Sequence, residues 1–409
     1  MSEPDAGVGT DPIVEFPVVE FDAAFLAEPY AAFADLRERG PVHRARTPDG
    51  APIWLVTRWD EVRALAADPR LSVDKRHSTG GYRGFSLPPE LDANLLNLDG
   101  PDHRRLRRLV STAFTPRRVQ SLRPRIRELA EQLLDAIEES GRDTAEVLAD
   151  YASPLPIAVI CELLGVPERD RVDFKSWTDL MLAPSSREDV GRCVAFLQRY
   201  LLDLVVSKRS EPADDLLSDL IAARDGSSDR LSENELVSAA FLLLFAGYEN
   251  TANLLGNGLA ALLSRPGGYA ALRDDPGLLP SAAEEFLRFD PPPQLSIRRF
   301  TTEDVEIGGV TVPAGGTVML AWASANRDPA HLTDPDSLRL DRGSCPHFSF
   351  GHGPHFCLGA ALARAEAEIA LEALLRRFPD LALAVPGEQL SWRASFRNRG
   401  LRELPVTLR

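Results

Sequence analysis

Cysteine is scarce. Cys161, Cys193, Cys345 and Cys357 are the only four in 409 residues, with no Cys-x-x-Cys pair and no zinc-type spacing. That excludes a disulfide-stapled scaffold and a cysteine-based zinc site, and it points to a reducing, intracellular compartment, the cytoplasm. Long hydrophobic runs are missing too: no stretch approaches the roughly 18 apolar residues of a membrane span. The acidic, Gly- and Pro-punctuated opening has neither the basic start nor the apolar run of a signal peptide. The sequence therefore predicts a soluble chain without a membrane anchor, with residues 1–22 as a flexible extension. Positive charge is short as well, 46 Lys and Arg against 61 Asp and Glu for a net charge of −15. General nucleic-acid binding is excluded, although a local basic patch can still face an acidic protein.

With 44% hydrophobic residues the chain can bury a large core. No internal repeat or shift in composition divides it, so residues 1–409 read as a single domain, and nothing demands more than a monomer. Helix formers dominate between 32 prolines, which predicts a mainly α molecule with minor β. Helices are expected over Pro29–Arg39, Trp59–Ala67, Asp102–Ala113, Pro116–Glu139, Pro154–Leu164, Asp170–Leu182 and Cys193–Lys208. Thr115 stands where it can cap the fourth of these, and the last two read as a helix–loop–helix flap. Ser232 and Glu235 form a capping-box signature opening a helix that runs to Leu263, more than about 40 Å, with an all-apolar centre. Pro280–Phe289 and Leu358–Phe378 are further helices. Ile53–Val56, Leu295–Arg299, Val305–Ile307 and Thr317–Trp322 read as short strands, and Ser391–Leu408 as a terminal hairpin. Asp68 to Leu98 lacks periodicity and is long for a loop, a length usually reserved for functional covers.

One segment carries chemistry. Phe350-Gly351-His352-Gly353-Pro354-His355-Phe356-Cys357-Leu358-Gly359 is a glycine-rich loop running into the last long helix. A cysteine at a helix N-terminus has its thiolate stabilised by unpaired amides and the helix dipole, which suits it to metal or haem-iron ligation. The glycines let backbone approach a flat cofactor, and their amides can donate to the sulfur. The same physics also fits a buried structural thiol beside a turn.

The spacing of Phe350, Gly353, Cys357 and Gly359 resembles, position for position, the haem-binding signature Phe-x-x-Gly-x-x-x-Cys-x-Gly of the cytochrome P450 superfamily. Glu285-Phe286-Leu287-Arg288 is similar to its Glu-x-x-Arg motif, with Arg342 as the later arginine; alone, the pair would read as a surface helical contact. His103 and Arg107, four apart on one helix face, together with Arg299 and His355, resemble the residues that hold the haem propionates. The resemblance runs from Pro29 to the terminal hairpin and is strongest to soluble bacterial members, with a texture similar to actinobacterial macrolide and polyketide hydroxylases. It implies the fold of that family, a triangular helical prism with a long central helix and small β-sheets.

What the resemblance implies for function is a haem-thiolate monooxygenase. Haem b (iron protoporphyrin IX) would be ligated by Cys357 thiolate, with O2 as co-substrate. One oxygen atom would enter a large lipophilic, macrolide- or polyketide-like metabolite by hydroxylation or epoxidation. No flavin domain or iron–sulfur cysteine cluster is present, so electrons would come ultimately from NAD(P)H through ferredoxin and ferredoxin reductase, docking near Arg104, Arg105 and Arg108. The family's proton-delivery pattern stands here as Ala246-Gly247-Tyr248-Glu249-Asn250, with asparagine in place of the usual threonine and Thr251 one residue later, about 100° around the helix. Asn250 can donate to bound oxygen or hold a water but cannot relay a proton as a hydroxyl does. Glu249 is then the candidate proton gate, and Gly247 a candidate for widening the helix. The pocket is expected from Phe85, Leu95, Leu96, Leu180, Met181, Leu242, Phe245, Ala246, Leu295, Ile297 and Phe396. The alternatives are aromatic coupling, desaturation or peroxide-driven oxidation at the same centre, and a non-enzymatic haem sensor.

Overall fold

Alternating apolar residues near the start of the chain build the sheet that later receives the site's arginine. In the computed structural model, which describes residues 18–79, 87–112, 114–173, 176–177, 187–225, 231–343 and 345–408, six strands form it: β1 (Val19–Glu20), β2 (Val42–Arg46), β3 (Pro52–Val56), β4 (Leu71–Ser72), β5 (Arg299–Thr301) and β6 (Thr317–Leu320). Their order is β1-β2-β3-β6-β5-β4. β2 and β3 are an antiparallel hairpin with Arg44 opposite Trp54, and β3 runs parallel to β6 with Trp54 opposite Val318. The hairpin turn is held from far along the chain, Arg298 Nη2 donating to Asp49 Oδ2 at 2.9 Å. Val19 and Glu20, expected within the flexible extension, pair instead with Ala45 and Arg46; residues 1–17 lie outside the described residues.

Among the described residues, helices that line the site or pack on those that do include α1 (Gly100–Ser111), α2 (Pro116–Glu139), α3 (Pro154–Leu164), α4 (Arg187–Ser210), α5 (Glu233–Leu263), α6 (Leu279–Phe289) and α7 (Ala360–Arg377). Thr115 caps α2, accepting from the Arg118 amide. At α5 the capping box forms in full, with Glu235 N donating to Ser232 Oγ at 3.1 Å and Ser232 N to Glu235 Oε2 at 2.7 Å. The 31 residues of α5 span about 46 Å. Leu236, Leu244, Leu255, Leu259 and Leu262 are each no more than 1% exposed, so the helix lies in the core, packed by α3, α4, α6 and α7. Close approach has a sequence cause: a Cβ on Gly258 would come within 2.3 Å of Phe286 on α6, and one on Gly247 within 2.6 Å of Ile160 on α3. Gly247 therefore serves helix packing.

Some expected elements shift. The strand expected over Leu295–Arg299 begins only at Arg299, because Ser296 diverts the local bonding: its Oγ donates to Ile297 O at 2.8 Å and accepts from Leu320 N at 2.9 Å. The terminal segment is a hairpin only at the Trp392–Leu401 bridge. Its last strand, Pro405–Thr407, pairs instead with Thr144–Glu146 and Ala382–Leu383. A helix over Leu216–Asp225 was not legible; Asp215 starts it by accepting from Ser218 N at 2.8 Å. Among the described residues no helix is long and apolar enough to cross a membrane.

The Glu285–Arg288 pair is buried, at 2% and 0% exposed. Arg288 Nε donates to Glu285 Oε2 at 2.7 Å and its Nη2 to Oε1 at 2.8 Å. Glu285 Oε1 also accepts from Arg339 N at 2.8 Å and Arg342 Nε at 3.2 Å. The remaining guanidinium donors reach backbone carbonyls of Asn326, Pro335 and Ser337 from Arg288, and of Thr333, Asp334 and Ser337 from Arg342. This charge cluster staples α6 to the turn-rich segment that leads into the cysteine loop, unlike a solvated helical pair.

Candidate haem-thiolate site

The loop before α7 is shaped by two glycines in the left-handed region, Gly351 at φ 71° and Gly353 at φ 72°. At Gly353 a Cβ would also come within 3.0 Å of Ala67. The turn closes with Gly351 N donating to Phe348 O and Cys357 N to Phe350 O, both at 2.7 Å. Arg364 lies over the Phe350 ring, 4.6 Å from its centroid. Cys357 is thereby set just ahead of the first turn of α7, where its sulfur accepts from the Gly359 amide. Its exposed surface opens onto a cavity. Burial pushes the Cys357 thiol up, against the lowering effect of the Gly359 amide, Arg107 and Arg364; a metal cation at the sulfur would reverse that balance.

The cavity measures about 320 Å³. Cys357, Phe350, Gly351, Leu358 and Gly359 border it on one side, and Ala246, Gly247, Glu249, Asn250 and Thr251 of α5 on another. Leu95, Leu96, Leu242, Phe245, Leu295 and Ile297 line it as expected. Phe85, Leu180 and Met181 lie outside the described residues. Phe396 is a correction: it does not line the cavity but packs against Phe21, ring centroids 5.6 Å apart, and its chain neighbours Arg397 and Asn398 face the cavity instead.

His103 and Arg107 on α1, Arg299 at the start of β5, and His355 in the loop all border this cavity. Arg107 Nη2 donates to Phe356 O at 2.7 Å, tying α1 to the loop. The His103 and His355 rings lie 4.3 Å apart, and His355 Nε2 donates to Asp99 Oδ1 at 2.9 Å. Burial disfavours the Asp99 carboxylate, yet hydrogen bonds from His355, Ser72 and the Val73 amide hold it down at about 2. Burial, with His355 and Arg107 adding to it, lowers His103 to about 4, and burial brings Arg299 down to about 10. His103 Nε2 and Arg299 Nε are buried without partners. Buried donors rarely go unpaired in a native protein, and here they converge with a thiol on one apolar cavity. Two carboxylates on a flat iron-bearing ring would pair with them, and Gly359 borders the same cavity on open space, since a Cβ built there would meet nothing within 4 Å. The residues fit haem.

On α5, Asn250 Nδ2 donates to Ala246 O at 3.2 Å while its Oδ1 is buried without a partner. Asn250 therefore has an unpaired acceptor, able to take a hydrogen bond from a water, and one N–H of its amide beyond the bond to Ala246. Thr251 Oγ1 donates to Gly247 O at 3.0 Å, so its hydroxyl proton is spent on its own helix. Of the arginines considered for docking, Arg104 and Arg108 are exposed on α1, but Arg105 is paired with Glu235.

Sequence reading missed Glu366. It sits on α7 at 2% exposure, lines the cavity, and has Oε2 unpaired; burial pushes its carboxyl well above 4.5. A folded-state value above the unfolded one means that the unfolded chain releases this proton first as pH rises. Stability is then lost progressively above about pH 4.5. Glu366→Gln removes that slope, so the variant's stability relative to wild type should grow between pH 5 and pH 8 in denaturant titrations of the haem-loaded protein. A gap that does not change with pH contradicts a neutral buried acid.

A family model described as Cytochrome P450 matches residues 156–276 and 277–383. The chain is 46% identical over 388 residues to the vitamin D(3) 25-hydroxylase of Pseudonocardia autotrophica, covering 95% of this chain and 96% of that protein. It is 45% identical over 396 residues to the cytochrome P450 monooxygenase PikC of Streptomyces venezuelae, covering 96% and 95%. Among solved structures, the tirandamycin C-bound P450 monooxygenase TamI superposes with a TM-score of 0.88 at 44% identity, covering 96% of this chain and 100% of that one.

Proposed function

The chain belongs to the cytochrome P450 family of haem-thiolate monooxygenases, and from that premise we propose that it oxidises a large lipophilic, macrolide- or polyketide-like secondary metabolite by hydroxylation or epoxidation, as a cytoplasmic monomer. The observation that carries the reading is the juxtaposition, on one cavity, of a cysteine ahead of a helix, unpaired His103 and Arg299 donors, and an aliphatic and aromatic wall. Two relatives point to the substrate class by name, 6-deoxyerythronolide B hydroxylase of Saccharopolyspora erythraea and mycinamicin IV hydroxylase/epoxidase of Micromonospora griseorubida.

In this reading Cys357 Sγ holds the haem iron, and His103, Arg107, Arg299 and His355 hold the two propionates. Bound there, haem supplies the activation of dioxygen that no side chain of the chain can perform. The Gly359 amide at the sulfur would limit its electron donation. Leu95, Leu96, Leu242, Phe245, Leu295 and Ile297 exclude water and seat the apolar substrate. Asn250 Oδ1 orients a water, and Glu249 supplies that water with the protons a threonine hydroxyl would otherwise relay. Electrons arrive from NAD(P)H through ferredoxin reductase and ferredoxin, an acidic partner docking on the Cys357 side near Arg104 and Arg108.

The test is turnover of a panel of macrolactones, vitamin D3 and fatty acids with ferredoxin, ferredoxin reductase and NADPH under isotopically labelled O2. One labelled oxygen atom per product molecule is expected. A second reading is favoured by Asn250 alone, which lacks the relaying hydroxyl: peroxide-driven oxidation, coupling or desaturation. Turnover with hydrogen peroxide but not with ferredoxin, or products without new oxygen, selects it.

A further inference from the structure

Glu249 is held from a distant part of the chain. Asn398 Nδ2 donates to Glu249 Oε2 at 2.9 Å, across 149 positions of sequence, and both residues border the cavity. Glu249, Asn253 and Asn257 recur every fourth position, so they make one polar stripe down the helix. Every member of that stripe meets the same stretch, residues 398 to 400. Asn257 Nδ2 donates to Arg399 O at 3.1 Å, and Gly400 lies so close to Asn253 that a Cβ there would fall 2.3 Å from its Oδ1.

That stretch is itself fixed. Gln294 N donates to Arg397 O at 2.8 Å and Arg399 N to Pro292 O at 2.7 Å, with Asn398 bridged to Pro293 between them. Arg399 pairs with Asp290 at 3.0 Å and lies over Trp392 at 3.5 Å. The Asn398 side chain therefore projects from a backbone with little freedom. Among the described residues Glu249 forms no ion pair, and its hydrogen bond comes from a neutral amide. A charged donor would grip the carboxylate about twice as strongly; the amide fixes its direction without an opposing charge.

We propose that Asn398 is a positioning residue for proton delivery: it latches the Glu249 carboxylate at the edge of the cavity, so that the acid stands in a set place relative to Asn250. The proposal rests on the reading of Glu249 as the proton source. It also gives the polar stripe of α5 a purpose beyond packing, since the same stretch that aligns the helix places the acid.

The test compares haem-loaded wild type, Asn398→Ala, Glu249→Gln and the double variant. Two quantities are read: the infrared carboxylate band that Glu249→Gln removes, and the share of NADPH electrons recovered in product with vitamin D3 as probe substrate. Asn398→Ala is expected to shift that band while leaving the spectral dissociation constant of the probe within about twofold of wild type. Each single variant should lower electron recovery by about a hundredfold, at the low end of general acid–base contributions, and the double variant should fall no lower than Glu249→Gln. A fall in Glu249→Gln with unchanged band and recovery in Asn398→Ala overturns the latch and leaves the role of Glu249 standing. Losses that multiply in the double variant overturn it as well. Unchanged recovery in Glu249→Gln overturns the proton role of Glu249 and the latch with it.

Discussion

Cys357→Ser is expected to abolish oxygen insertion while leaving the chain folded. The loop's shape rests on Gly351 and Gly353 at positive φ and on backbone bonds to Phe348 and Phe350, none of which involves the sulfur. The hydrogen bond from the Gly359 amide can be accepted by a serine oxygen. What serine cannot supply is an anionic, polarisable ligand at neutral pH, and the electron donation that favours oxygen–oxygen cleavage is lost with it. Product formation with ferredoxin should fall to background and far-UV circular dichroism should stay unchanged. Turnover near the wild-type rate in the serine variant contradicts the assignment of Cys357.

The second large effect falls on stability. Glu285→Gln leaves Arg288, 0% exposed, without its counter-ion and weakens the tie to Arg342. An uncompensated buried charge costs about 3–5 kcal/mol, against a typical total stability of about 5–15 kcal/mol. A solvated i,i+3 pair is worth only about 0.2–0.5 kcal/mol. Denaturant unfolding of the haem-loaded variant should show a large fall in midpoint and a low yield of folded, haem-bearing protein. An unfolding free energy within about 0.2–0.5 kcal/mol of wild type would mean that the pair behaves as a surface contact.

The cysteine loop was legible because its geometry is written in residue type: glycines where φ is positive, and a thiol at the mouth of a helix. The spacing of Glu285 and Arg288 was equally visible, but their burial was not, since it depends on carbonyls brought in by the later turn-rich segment. Glu366 escaped for the same reason. It lies two residues from Glu368 in a run of Ala and Glu, yet Glu368 meets Arg123 at 3.0 Å near the surface while Glu366 faces the cavity. Periodicity locates a helix without stating which neighbour covers each face. Phe396 was misplaced because the tail around it makes isolated bridges, Trp392 with Leu401 and Asn398 with Pro293, and no continuous ladder, so strand alternation does not set its facing. Residues 249 and 398 lie 149 positions apart, and no local pattern announces that contact.

The most direct test of a haem-thiolate centre is the difference spectrum of the reduced, carbon monoxide-bound protein. A Soret band displaced to the long wavelength characteristic of thiolate ligation, and absent from Cys357→Ser, is the predicted result. Failure to bind haem, or a band that ignores the substitution, would contradict the account at its centre.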